Sequence, residues 1–115
     1  MSPSTPEILQ HILEESDYLL RSSRNLSRED FLADETLRRA FVRSLEVIGE
    51  AAKKVSSEIR EQLPAVEWKA MAGMRDRLIH VYFGVDYELV WSVVTEKIPV
   101  LHEQIASRLS GEEGE

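Results

Sequence analysis

The sequence predicts an all-α protein, an antiparallel four-helix-type bundle with a kinked last helix. Apolar residues recur at intervals of three or four along most of the chain, which is the spacing of one face of an α-helix. Only five glycines and four prolines occur among 115 residues, so few positions interrupt a helix. This length fits one domain, and we expect residues 1–110 to form it and residues 111–115 to be an acidic, frayed tail.

The first helix is predicted to begin with Thr5 as its cap. A hydroxyl residue followed by proline and glutamate is typical of a helix start, and an apolar stripe at helical spacing continues to Leu20. Residues 21–26 are polar and read as a connection. Ser27 is expected to cap a short helical turn that ends near Ala33.

The longest helix is expected to begin after Asp34 and to run to about Leu63. Its apolar residues follow one another at intervals of three or four, which favours packing within a bundle. Pro64 is expected to end it. The residues of this apolar seam are Leu37, Phe41, Leu45, Ile48, Ala52, Val55 and Ile59.

Two further helices are predicted in the C-terminal part of the chain. Residues 65–82 show a helical pattern, and residues 83–86 interrupt it. Asp86 is expected to cap the last helix. Pro99 lies inside that helix and is expected to kink it or divide it in two, and Gly111 is expected to end it.

Composition and charge limit the possible functions. The net charge is −7, which argues against a strong non-specific nucleic-acid binder. Residues 21–77 nevertheless hold twelve bases and ten acids, so a local basic surface is possible. The absence of cysteine excludes disulfides and a cysteine nucleophile. Together with the lack of any long apolar run, it predicts a cytoplasmic protein that does not enter a membrane.

Several kinds of active site are not expected. The three histidines, His11, His80 and His102, form no metal-binding pair at helical spacing, so we expect no bound metal. Glycine is too sparse for a phosphate-binding loop, and we therefore expect no nucleotide cofactor. No serine-hydrolase motif is present.

One segment, residues 73–84, concentrates residues that can carry chemistry. Arg75 is a permanent cation whose planar donors suit a phosphodiester, and His80 can exchange a proton near neutral pH. Asp76 lies four residues before His80, so on a helix the two would share a face. The carboxylate could then orient the imidazole. Tyr82 would share the face of Arg75, about 10 Å along the helix.

A single straight helix cannot bring Arg75 and His80 together. Five residues apart, they lie about 140° apart around an ideal helix. A site that uses both needs a helix kink or a cleft closed by a second protomer. Long helical rods of about 40 Å also favour a homodimer. By spacing alone, a solvated charged face with a boundary histidine remains the commoner interpretation.

A sequence motif favours a functional site over a solvated charged face. Arg75 and His80 match the Arg-x(4–6)-His signature of the HEPN superfamily, including a polar residue after the arginine, Asp76. Extended to Tyr82, the pattern Arg-x4-His-x-Tyr resembles the HepT-like toxin family. Three other segments look like that family, and the resemblance covers about residues 8–109. These segments are residues 45–54, 68–74 and 98–101.

The resemblance implies a homodimeric, metal-independent endoribonuclease that acts as the toxin of a toxin–antitoxin pair. Arg75 would bind the scissile phosphate and His80 would act as acid or base in attack by the 2′-hydroxyl. Asp76 would support them. Arg77 lies outside the signature but could add positive potential.

The resemblance also implies a partner. A cognate minimal nucleotidyltransferase of the MntA type would use ATP to transfer AMP to Tyr82 and so neutralise the toxin. The bulky anionic group would repel RNA from the cleft. No cofactor would be held by the toxin itself.

Two alternatives remain open. The chain could be a non-enzymatic HEPN subunit that serves as partner or substrate of a nucleotidyltransferase, or it could be an unrelated structural helical dimer. Glu46 and Glu50, one turn apart, are expected to pair with Lys53, Lys54 or Arg43 rather than to act on substrate.

Overall fold

The computed structural model describes residues 4–80 and 84–113, and it confirms the all-α fold class. α1 packs against both α3 and α8, while α5 and α6 lie against α3. Among the described elements, the one that is not helical is a short hairpin with two residues in each strand. In chain order the elements are α1 (Thr5–Ser23), α2 (Arg28–Ala33), α3 (Glu35–Lys53), α4 (Ser57–Gln62), α5 (Trp68–Ala72), α6 (Met74–Leu78), β1 (Ile79–His80), β2 (Gly84–Val85), α7 (Tyr87–Ser92), a π turn (Val93–Lys97) and α8 (Ile98–Glu113).

The starts of α1, α2 and α3 are set by side-chain caps. Ser4 rather than Thr5 caps α1, because its Oγ accepts a hydrogen bond from the Glu7 N–H. Ser27 caps α2 and Asp34 caps α3 in the same way, as the sequence predicted. These oxygens satisfy N–H groups that have no partner within the helix.

The predicted long helix over residues 34–63 is wrong, because the chain breaks it into α3 and α4. Ser56 accepts a hydrogen bond from the Ile59 N–H at 3.2 Å and so starts a new helix. Arg60 donates to the carbonyls of Ala52, in the last turn of α3, and of Val55, just beyond it, at 2.8 and 3.1 Å, which ties α4 to the end of α3. Val55 and Ile59 are both buried, so the apolar seam continues across the break.

The predicted helix over residues 65–82 is also wrong. The helical structure begins only at Trp68, whose buried indole Nε1 donates to the Leu63 carbonyl at 3.1 Å. Gly73 separates α5 from α6 with non-helical backbone angles. α6 ends at Leu78, because Ile79 is extended and begins the hairpin.

The last helical segment begins where the sequence predicted, with Asp86 accepting from the Leu89 N–H at 3.1 Å. Pro99 cannot donate a backbone hydrogen bond, and its ring would clash with the carbonyl four residues earlier in an α-helix. The chain changes register ahead of it, and the Ile98 N–H donates to the Val93 carbonyl in a π turn. The predicted stop at Gly111 is wrong, since α8 continues to Glu113.

An aromatic cluster joins α2, α3 and α7. The Phe31 ring stacks on Phe41 at 4.9 Å and on Trp91 at 5.4 Å between centroids. Beside it the Arg38 guanidinium lies 4.9 Å from the centre of the Tyr87 ring. The short helix α2 is thereby fixed against α3 and α7.

Gly49 marks the closest approach of α3 to the junction of α5 and α6. A Cβ atom at this position would lie 2.9 Å from the Met71 carbonyl oxygen and 3.3 Å from Met74 Cβ. The first distance is shorter than van der Waals contact permits, and its partner is backbone. Met71 and Met74 are both buried, so this contact sets the depth at which α5 and α6 sit on α3.

No helix among the described residues is both long enough and apolar enough to cross a bilayer.

Gly49→Ala is expected to destabilise the protein. Overpacking of this kind costs about 1–3 kcal/mol, and the better helix propensity of alanine returns about 1 kcal/mol at most. Urea denaturation should therefore show a lower free energy of unfolding.

Gly111→Ala is the matched control, because Gly111 is also helical but has nothing within 4 Å of the added methyl group. That variant should be neutral or slightly more stable. Equal stability changes in the two variants would contradict the close-approach interpretation.

Candidate functional site

Arg75 lies on α6 and points into solvent. Its neighbour Met74 is buried against α3, whereas 71% of the Arg75 side chain is exposed. The buried residue anchors the helix and the next one is turned outward, as expected for residues about 100° apart on a helix. The guanidinium is therefore available to an anion in solution.

Glu46 of α3 is the acidic group facing Arg75. Its Oε2 lies 4.0 Å from Arg75 Nε, and its side chain is only 25% exposed. Glu50 pairs with Lys53 at 3.0 Å, as the sequence predicted, but Glu46 does not take one of the three predicted partners. At this distance the Arg75 pair is loose, so Glu46 limits the orientation of the guanidinium without occupying its hydrogen-bond donors.

An open groove of about 700 Å³ adjoins Arg75. It lies between the C-terminal end of α3 and the helices α5 and α6. Five of the seven lining residues are charged, three of them cations and two of them acids, so the groove suits a polar ligand. The lining residues are Glu50, Lys53, Lys69, Ala72, Gly73, Arg75 and Asp76.

Asp76 and Arg77 are exposed on α6 beside Arg75. Within the described part of the chain, neither side chain takes part in a hydrogen bond or ion pair. Asp76 lines the groove and Arg77 does not. Both are thus free to respond to a bound ligand.

His80 lies on β1 rather than on a helix. It pairs with Gly84 in the antiparallel hairpin, and Ile79 pairs with Val85. The alternation of a strand turns Ile79 toward the core and leaves His80 exposed. Gly84 has a φ of +77°, a conformation that favours glycine.

The hairpin overturns the helical geometry expected for the motif. Because α6 ends at Leu78, Asp76 and His80 are not one helical turn apart, and no hydrogen bond joins them within the described residues. The 140° separation of Arg75 and His80 does not apply either. The chain changes direction between Arg75 and His80 where α6 ends, and His80 is not among the residues that line the groove beside Arg75.

Tyr82 lies outside the described residues, so its expected place on the Arg75 face is not tested by the structure. The predicted helix is interrupted before it reaches that position, since α6 ends at Leu78 and Ile79 is extended. Tyr82 follows His80 by two residues and precedes Gly84 by two in the sequence.

The other histidines lie on other elements. His11 on α1 lines a separate cavity of about 290 Å³ between α1 and α3. His102 on α8 lies 3.7 Å from Asp17 of α1. Across residues 4–80 and 84–113, no three histidine or carboxylate side chains are grouped as metal ligands would be.

Sequence reasoning missed Glu46 as a neighbour of Arg75, and Lys53 and Lys69 as members of the groove. All three fall within segments that resemble the HepT-like family. Their proximity to Arg75 arises from the crossing of α3 with α5 and α6, which periodicity does not reveal.

Comparison with known proteins assigns the family. The model for a family described as "HepT-like: Ribonuclease HepT-like" matches residues 9–108. A protein of Caldanaerobacter subterraneus named "Putative RNase TTE0752" is 49% identical over 90% of this chain and 93% of its own length.

Two other relatives are similar over nearly the same range. "Probable ribonuclease HepT" of Thermococcus cleftensis is 41% identical over 88% of this chain and 92% of its own length. "Putative RNase MJ1216" of Methanocaldococcus jannaschii is 42% identical over 92% of this chain and 88% of its own. No solved structure matches the chain significantly.

The family match spans the elements that position Arg75 and His80 together with those that form the core. The chain belongs to the ribonuclease HepT-like family.

Proposed function

We propose that this protein is an endoribonuclease that cleaves RNA without a metal ion and acts as the toxin of a toxin–antitoxin pair. The observation that carries the proposal is the exposure of Arg75 and His80 on two consecutive elements, α6 and β1. Membership of a family named for ribonuclease activity supports it. The relatives named as ribonucleases support it further.

The chemistry follows from the two side chains. Arg75 donates hydrogen bonds to the non-bridging oxygens of the scissile phosphate and stabilises their growing charge. A His80 imidazole accepts the proton of the 2′-hydroxyl, whose oxygen then bonds to phosphorus. The bond from phosphorus to the 5′-oxygen breaks, and that oxygen takes a proton from an acid. The products are a 2′,3′-cyclic phosphate and a 5′-hydroxyl.

This reaction uses one base and one acid, whereas each chain offers a single histidine in the motif. A homodimer whose two motifs share one cleft supplies two copies of His80. The hairpin presents His80 to solvent, where a second protomer could approach it. Asp76 and Arg77, also exposed, would lie at the edge of that cleft and adjust its potential.

Neutralisation is proposed to occur at Tyr82. A partner nucleotidyltransferase of the MntA type would transfer AMP from ATP to the phenol oxygen, with release of pyrophosphate. The added phosphodiester is anionic and bulky, so it would repel RNA from the site. In the alternative function, a non-enzymatic subunit, the same tyrosine would be modified without any ribonuclease to inhibit.

Replacement of either motif residue should abolish most RNA cleavage. We expect Arg75→Ala to lower kcat/KM by about 100- to 1,000-fold and His80→Ala by about 100- to 10,000-fold. Cleavage of a labelled RNA, followed on a gel, measures both effects.

Arg39→Ala and His11→Ala are the matched controls, because both residues are exposed and lie on other parts of the surface. Circular dichroism should show that all four variants are folded. Wild-type rates in Arg75→Ala or His80→Ala would refute the assigned role, and an inactive wild-type protein would favour the non-enzymatic alternative.

The protein is expected to be a dimer in solution. Light scattering at micromolar concentration should give twice the 13.2 kDa mass of the chain. A monomeric mass would remove the shared cleft and with it the second histidine.

Tyr82 is expected to accept AMP. Intact mass after co-expression with the cognate nucleotidyltransferase should rise by one or more AMP groups, and Tyr82→Phe should show no increase. Tyr87→Phe, which changes a tyrosine packed on Arg38, should be modified like the wild type. Equal modification of Tyr82→Phe would place the acceptor elsewhere.

A further inference from the structure

The groove beside Arg75 contains two more cations, and they come from different helices. Lys53 is the last residue of α3 and Lys69 lies in the first turn of α5. Arg75 on α6 completes the set. A flexible anionic chain that enters the groove can therefore meet positive charge from three helix segments.

The charge of this groove differs from that of two other cavities. Its lining holds three cations and two acids. The cavity between α5 and α8 is lined by two acids and one cation, and the cavity between α1 and α3 by two of each, besides His11. The net charge of the chain is −7, so the positive excess of this groove is opposite in sign to the charge of the protein as a whole.

Both lysines are available to a ligand. Lys69 is exposed and has no ion-pair partner within the described residues. Lys53 pairs with Glu50, but both side chains are more than half exposed. Exposed pairs of this kind contribute little to stability, so a phosphate can displace Glu50.

We infer that Lys53 and Lys69 bind backbone phosphates of a single-stranded RNA next to the phosphate held by Arg75. The inference rests on the proposed ribonuclease function and names the part of the site that holds the substrate. A single strand suits the groove because its flexible backbone lets successive phosphates reach cations on separate helices.

Glu50 opposes this binding. It neutralises Lys53 in the free protein and places a carboxylate in the path of the RNA backbone. Removal of its charge should therefore act in the opposite direction from removal of a lysine. Removal of a lysine charge should weaken RNA binding, and removal of the Glu50 charge should strengthen it.

The test is RNA binding by the full-length protein across a salt series. The probe is a single-stranded RNA with 2′-O-methyl groups, which lacks the attacking hydroxyl and is not cleaved. Each phosphate contact on a single strand contributes about 0.7 to the slope of log K against log salt. Lys69→Gln should reduce the slope by about that amount, Lys53→Gln by the same or less, and Glu50→Gln should tighten binding.

Lys54→Gln is the matched control. It removes the same charge from the adjacent residue, whose side chain lines the cavity between α1 and α3 instead. Its slope should equal that of the wild type. If Lys53→Gln and Lys69→Gln bind with the slope of Lys54→Gln, the inference is wrong.

Cleavage of unmodified RNA separates this inference from the proposed function. Lysine variants should raise KM and leave kcat near the wild-type value, because they remove binding that is equal in ground state and transition state. If the wild-type protein cleaves RNA and the lysine variants cleave it with the wild-type KM, the inference is wrong and the proposed function stands. A wild-type protein that neither binds nor cleaves RNA would overturn both.

Discussion

The contact at Gly49 determines where the candidate site lies. α3 passes so close to the Met71 carbonyl that a methyl group does not fit between them. This approach buries Met71 and Met74, and the next residue, Arg75, is consequently held at the surface beside α3. Glu46, three residues before Gly49, then faces the guanidinium, and Glu50 and Lys53 face the groove. The charges around Arg75 thus depend on one backbone approach in the core.

The hairpin is a second constraint, and it acts on His80. The Asp86 N–H donates to the Leu78 carbonyl at 2.8 Å, while the Asp86 carboxylate caps α7 through the Leu89 N–H. One residue therefore closes the hairpin and begins the last helical segment. Because Gly84 pairs with His80 and β2 leads directly to Asp86, the position of the histidine depends on α7 as well as on α6. The core positions Arg75 through α3 and His80 through α7.

Much of the fold was predictable from local signals, and the parts that were not have physical causes. Ser27, Asp34 and Asp86 cap helices as predicted, because a cap is a contact between residues three apart. The break after α3 is invisible to periodicity, since Ala52 before it, Val55 within it and Ile59 after it are all buried. Arg60 reaches back across the break to the Ala52 carbonyl. Such a contact is not encoded in apolar spacing.

The candidate site, like the fold, was predictable only in part. The motif identified Arg75 and His80 by residue type and spacing, but the helical geometry assumed between them was wrong, because α6 ends at Leu78. Glu46 and Lys69 could not be assigned to the site from the sequence. Their neighbours in space lie on other helices, and only the crossing at Gly49 brings them together.

The charge balance of the groove bears on how the proposed enzyme could be neutralised. At physiological salt the field of a surface charge extends only about 8 Å. An acidic protein can therefore bind RNA only where its own cations contact the RNA. The lining has an excess of one positive charge. One phosphodiester carries one negative charge, which is the size of that excess. A strongly basic surface would need a larger change in charge before it lost its attraction for RNA.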